Sequence, residues 1–190
     1  MTELALSRTT TARPFTRLAR AATLAAALGA TACANNVKPE ELPQFRITDV
    51  NVITAPGLKA SSDIASAVRA QTRRAAAAYA APLPANLPGR TLNVRVTSVA
   101  YKNAVASLLV GSANRASATV SGGAAGPGTV TYTDVSSGAV NGVIGAVMAA
   151  NADHAKVDGK LAAGLGLKAV DQAYGQKTTP RFVLDRLGPR

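Results

Sequence analysis

Hydrophobic and polar residues alternate along several stretches of this chain and recur at helical spacing along two others. Phe45–Thr54 is rich in β-branched residues, with Phe45 and Ile47 on one parity and Val50 and Val52 on the other. The alternation slips by one near Asp49, which predicts a strand carrying a bulge, and Pro56-Gly57 ends it. Thr91–Tyr101 predicts a second strand, Leu92, Val94 and Val96 inward against Asn93, Arg95 and Thr97 outward. Val99 and Tyr101 fall on the opposite parity, so a bulge is expected here too. Val105–Val120 is a softer run, one long bent strand or two short ones, in which Ala116, Ala118 and Val120 alternate with Arg115, Ser117 and Thr119. Gly122–Gly128 is glycine-rich, but Thr129–Asp134 after it alternates Thr with Val and Tyr. A connection between strands is therefore expected rather than a phosphate-cradling loop, and no dinucleotide or P-loop spacing is present.

Helical spacing is clearest where Ile64, Val68, Ala75 and Tyr79 share one face, with Arg69 and Arg73 opposite. Ser61 or Ser62 is the expected N-cap, Asp63 suits the first turn, and the helix ends before Pro82. Pro82, Pro84 and Pro88-Gly89 mark a loop. A second helix is predicted over Asp158–Tyr174, capped by Asp158 and closed by Gly175 at C′. Gly164 and Gly166 weaken that prediction, each costing about 1 kcal/mol relative to Ala. Ser136-Ser137-Gly138 reads as a hairpin turn. Ala139–Ala150 follows, uncharged; it pairs naturally across that turn as a strand, with a buried helix or a membrane-contacting segment as alternatives, and it is too short to span a bilayer as a helix. In the tail, Phe182-Val183-Leu184 would dock as an edge strand or belong to a flexible basic end.

These elements predict an α+β domain over 45–176: two layers, a mainly antiparallel sheet with one or two helices packed on one face, the Ser61–Ala80 helix and, as the second where there are two, the C-terminal helix. Residues 177–190 form a basic C-terminal tail.

The first 32 residues read differently. Arg8, Arg13, Arg17 and Arg20 lead into the short uncharged run Ala21–Leu28, then small residues, the pattern of a secretory signal. Ala30-Thr31-Ala32-Cys33 resembles the lipobox of bacterial lipoproteins, departing from it at Ala30, where Leu is most frequent. The resemblance implies cleavage after Ala32 and a diacylglyceryl thioether on Cys33, the chain's single cysteine. Residues 33–44, with Pro39 and Pro43, then serve as lipidated cysteine and tether. Ala34 in place of Asp implies the outer membrane, periplasmic leaflet. Ala30-Thr31-Ala32 alone also fits an ordinary signal-peptidase site, which would leave the protein soluble in the periplasm.

Charge adds to this picture. The whole chain carries a formal +11, and beyond the leader 17 basic residues face 9 acidic ones, a formal +8. Such an excess favours anionic surfaces such as lipid headgroups or lipopolysaccharide. Nucleic acid is not expected as a partner, because export separates the protein from it and there is no Trp, with only four Tyr and three Phe to stack on bases. Arg69, Arg73 and Arg74 are the candidate anionic-surface contact; their alternative is a solvated helix face.

Candidate catalytic chemistry is sparse. His154, the sole histidine, lies between Asp153 and Asp158, a spacing able to offer a metal borderline and hard donors. One imidazole with two carboxylates is common by chance, so no metal, cofactor or catalytic residue is assigned. No nucleophile-elbow spacing accompanies the serines, and an enzyme is not expected.

The order of strand, helix, strand, glycine-rich strands and a last helix ending in Tyr174-Gly175 resembles small proteobacterial outer-membrane lipoproteins of unknown function. The likeness rests on the lipobox, Asn114-Arg115-Ala116-Ser117-Ala118, Asp134 to Ser137-Gly138, and Leu161–Gly175. It implies a non-catalytic, envelope-associated accessory or scaffold domain that binds protein or envelope polymer. The alternative expectation is a carrier or sensor of a small apolar or anionic ligand, held between helix and sheet.

Overall fold

The parity slip in the first strand sets the geometry of the sheet. In the computed structural model, β1 (Arg46–Thr54) carries an irregularity between Ile47 and Asp49. The extra residue brings Ile47, Val50 and Val52 to the same buried face despite their different parity. The second slip acts likewise: β2 (Gly89–Ala100) shifts register between Val96 and Ser98, which sets Val99 opposite Ala116. Both bulges stand where the hydrophobic pattern requires them.

The structure describes residues 36–58, 63–102, 113–134 and 153–188, all within the unit Asn35–Arg190. Cys33, Ala32, the Ser61 and Ser62 caps, the 105–112 run, the Ser136–Gly138 turn and Ala139–Ala150 lie outside the described residues.

The fold is α+β. β1, β2, β3 (Asn114–Ser121) and β4 (Gly128–Asp134) form one sheet in that order. β2–β3 and β3–β4 are antiparallel, whereas β1 and β2 run parallel. The parallel pair follows from the connection, since α1 (Ile64–Ala80) crosses the sheet and returns the chain to the end where β1 began. α1 and α2 (His154–Ala173) lie against each other on the same face of the sheet. β3 and β4 are joined through Gly122–Pro127, and Gly122 turns at φ 98°, a conformation open to glycine.

The expected apolar face of α1 is buried: Ile64, Val68, Ala75 and Tyr79 are each at most 2 % exposed. The helix begins differently from expectation. Asp63 occupies the N-cap position, and its side chain makes no capping hydrogen bond. α2 also starts earlier than the sequence suggests. Its N-cap is Asp153, whose carboxylate accepts from Ala155 N at 3.0 Å and Lys156 N at 3.3 Å. Asp158, expected to cap, lies inside the helix, buried, and accepts from the Tyr101 hydroxyl at 2.7 Å. Gly175 follows the C-cap Tyr174 with φ 70°, in the C′ role expected of it.

Both ends of the domain extend past the boundaries read from sequence. Pro39–Glu41 forms a 3-10 turn and Leu42 is 2 % exposed, so packing starts inside the stretch assigned to the tether. At the other end, the tail carries a helix, α3 (Arg181–Leu187), neither an edge strand nor a loose basic end. Pro180 at its N-cap fixes the entry, and Val183 is fully buried.

An aromatic stack joins these two ends. Phe45 and Tyr79 flank Tyr174 with ring centroids 4.7 Å away on each side, and Phe182 meets Tyr79 edge-on at 6.1 Å. Arg90 caps the stack, its guanidinium 4.6 Å from the Phe45 centroid. Such contacts add about 0.5–1.5 kcal/mol per pair beyond area burial. They tie the N-terminal strand, α1, the end of α2 and α3 into one core.

Candidate functional site

Each sequence-predicted arginine on α1 reaches a different partner. Arg69 donates to the Val52 carbonyl at 3.1 Å, and Arg73 pairs with Asp49 at 3.3 Å with both side chains well exposed. Arg74 donates to the Leu187 carbonyl of α3 at 2.8 Å. The helix thus brings Arg69 and Arg73 to the β1 side and turns Arg74 away from them, so the three do not form one patch. An exposed pair such as Arg73–Asp49 contributes little stability, of order 0–1 kcal/mol.

The Asp153–His154–Asp158 spacing is also separated by its own structure. Asp153 is committed to the helix cap and Asp158 to Tyr101. Among the described residues, no group of three or more His, Cys, Asp or Glu side chains converges as a metal site. No helix among them is long and apolar enough to cross a membrane.

A buried polar cluster centres on Asp171, 1 % exposed. Tyr79 donates to its Oδ1 at 2.6 Å and Thr179 to its Oδ2 at 2.8 Å, with Lys168 Nζ 4.0 Å from Oδ2. Burial, reinforced by the neighbouring Asp171 carboxylate, raises the Tyr79 hydroxyl far above the ordinary phenol range, so it stays a neutral donor. Burial likewise pushes up Tyr174, whose hydroxyl donates to the Phe45 carbonyl at 3.2 Å. Asp171, α1, α2 and the segment before α3 are locked together by this cluster, whose carboxylate lies inside the core.

Among the described residues, two surfaces could receive a ligand. The first is the sheet face opposite the helices. Alternation sends Asn93 and Arg95 of β2, Ser117 and Thr119 of β3, and Thr129, Thr131 and Thr133 of β4 to that side. The side chains form ladders between strands: Ser117 Oγ lies 2.9 Å from Thr131 Oγ1, Arg115 Nε donates to Thr133 at 3.3 Å, and Asn51 donates to Asn93 at 3.4 Å. A shallow depression of about 520 Å³ crosses it, bordered by Asn51, Ile53, Asn93, Arg95, Thr119 and Pro127. Ile53, at its edge, is the exposed large hydrophobic residue of the described chain, 48 % accessible. Asp49, on the outward side of the edge strand β1 opposite Thr91, has its charge paired with Arg73 of α1.

The second is a cleft of about 750 Å³ where α1, α2, α3 and the end of β4 meet. Its apolar lining comes from Ala75, Ala163, Leu167 and Leu187, with Tyr132 beside them. Among the described residues lining it are the cations Arg74, Lys156 and Lys160 and the carboxylate of Asp134. Residues from four elements meet here, so no local motif could have announced the cleft. The open face was legible as alternating Thr, Ser, Asn and Arg. The chain matches no protein-family model, no curated protein and no solved structure.

Proposed function

We propose that this chain is a non-catalytic outer-membrane lipoprotein, anchored through Cys33 on the periplasmic leaflet, whose domain binds an anionic, hydroxyl-rich envelope polymer across the open face of its sheet. The observation that carries this reading is the chemistry of that face. It pairs Arg95 and Arg115 with rows of Thr, Ser and Asn on β2, β3 and β4, no carboxylate of the described residues standing in those rows, while Asp49 on the edge strand β1 is paired with Arg73. Guanidinium groups bind phosphate and carboxylate in a bidentate fork, and hydroxyl and amide side chains both donate to and accept from sugar hydroxyls. The rigid sheet holds these groups in fixed rows, which lowers the ordering cost of binding an extended polymer. The basic excess of the chain beyond its leader acts in the same direction. Lipid anchoring would hold the face near the polymer at high effective concentration.

Two experiments test this in cells. Radiolabelled palmitate is expected in the wild-type protein and absent from Cys33→Ser; label that persists in the variant removes the anchor from the proposal. A photo-crosslinking residue at Thr119 or Thr131 is expected to capture lipopolysaccharide or peptidoglycan. The same group at Ala77, exposed on the outer side of α1, is expected to capture neither. Arg95→Glu with Arg115→Glu should abolish capture from Thr119. Equal capture from the sheet and helix positions would overturn the open-face assignment.

A further inference from the structure

We propose that the cleft between α1, α2, α3 and β4 is a binding site for a small organic anion with an apolar body, an aliphatic carboxylate. The inference stands apart from the open-face reading, because the cleft lies on the helical side of the sheet. Three observations carry it. The volume, about 750 Å³, falls in the range of small-molecule sites, roughly 300–1,000 Å³. The lining is mainly apolar and built from small side chains: Ala75 and Ala163 leave the space that larger residues would fill, while Leu167 and Leu187 give it aliphatic walls. Among the described residues that line it, the basic side chains Arg74, Lys156 and Lys160 outnumber the acidic one, Asp134. An apolar body would displace water from the alanine and leucine walls, and its carboxylate would take a charge-assisted hydrogen bond from the cationic side.

The architecture supports a formed site. On α2, Lys156, Lys160, Ala163 and Leu167 fall at successive helical turns, so a single stripe runs from charged to aliphatic over about 16 Å. On α1, Arg74 is oriented by its bond to the Leu187 carbonyl, which uses one of the five donors of the guanidinium. That bond also holds α3 as the wall of the cleft.

The test uses decanoate as the probe and the chain from residue 33 onward with Cys33→Ser, which contains the whole described core. Titration followed by amide and methyl NMR is expected to give saturable shifts centred on Ala75, Ala163 and Leu167. Lys156 is exposed, so Lys156→Glu should leave the thermal midpoint unchanged while weakening decanoate about tenfold, the loss of one charge-assisted contact. Ala163→Phe should fill the cleft and abolish the shifts; a circular-dichroism melt establishes that this variant is folded. Decan-1-ol is expected to bind markedly more weakly than decanoate. Equal affinity for the alcohol, unchanged decanoate binding in folded Ala163→Phe, or no saturable shift at millimolar decanoate would each overturn the site. Phosphatidylglycerol vesicles that perturb these residues where decanoate does not would overturn it in favour of membrane contact.

Discussion

The Tyr79 hydroxyl donates to Asp171 Oδ1 at 2.6 Å across 92 positions of sequence, and this bond fastens α1 to α2 inside the core. Thr179 donates to the other oxygen, so the same carboxylate also holds the segment leading to α3. Hydrogen bonds to a buried charged group contribute about 1.5–3 kcal/mol each, and their loss exposes the desolvation cost of the group that remains. Tyr79→Phe is therefore expected to destabilise the domain by about 2 kcal/mol, and Asp171→Ala by about 3 kcal/mol or more. Urea denaturation with unchanged m-values measures both. Tyr79→Phe within about 0.5 kcal/mol of wild type would show that the bond adds nothing net.

The same hydroxyl makes stability depend on alkaline pH. Burial first, and the Asp171 charge second, raise its pKa in the fold. Below about pH 10 the phenol is protonated in both folded and unfolded chains, so its contribution is fully present there. As pH rises past that point the unfolded chain releases the proton and the folded chain keeps it, so stability falls. Tyr174, raised for the same leading reason, adds to this slope. The unfolding free energy measured from pH 9 to pH 11 is expected to decline less steeply in Tyr79→Phe than in wild type. Identical slopes would remove Tyr79 as the cause.

Part of this fold is legible in the sequence, for a physical reason. A bulge leaves its trace in local parity, and each of the two slips, Ile47 to Val50 and Val96 to Val99, is spanned by a few neighbouring residues. The buried face of α1 was equally local, since Ile64, Val68, Ala75 and Tyr79 repeat at helical spacing. The start of α2 was misplaced because Asp153 and Asp158 are equivalent in propensity; only burial and the Tyr101 bond separate them. α3 was missed because seven residues hold too little periodicity to distinguish a helix turn from an edge strand. The cleft and the Asp171 cluster arise from residues that meet only after the layers close, so local pattern carried no trace of them.

The glycines of α2 reverse their sequence-level meaning in the same way. As isolated helix residues they are weak points. In the fold, a Cβ on Gly164 would overlap the Tyr132 ring, and one on Gly166 would lie 2.8 Å from the Thr72 backbone nitrogen. Both glycines allow α2 to approach its neighbours closely. A Cβ on Gly159 would meet nothing within 4 Å. Gly159→Ala is therefore expected to stabilise the domain by about 0.5–1 kcal/mol, whereas Gly164→Ala and Gly166→Ala should each destabilise it by about 1–3 kcal/mol. Thermal melts of the three variants separate the cases; stabilisation of all three would mean that helix propensity outweighs packing at these positions.

The C-terminal segment should behave as part of the core. Val183 is fully buried, the Phe182 ring meets Tyr79 edge-on, Thr179 donates to Asp171, and the Leu187 carbonyl accepts from Arg74. Removing residues 177–190 takes away an apolar side chain whose burial is worth about 1.5–3 kcal/mol. It also removes one aromatic pair and one hydrogen bond to a buried carboxylate, and it opens Tyr79 to water. A loss of about 4 kcal/mol or more is expected, a large share of the stability of a domain this size. Val183→Asp should reproduce much of that loss with the chain length intact, because it buries a charge without a designed partner. A loose basic tail would leave the urea midpoint where it was in both variants, so an unchanged midpoint would contradict the docking of α3.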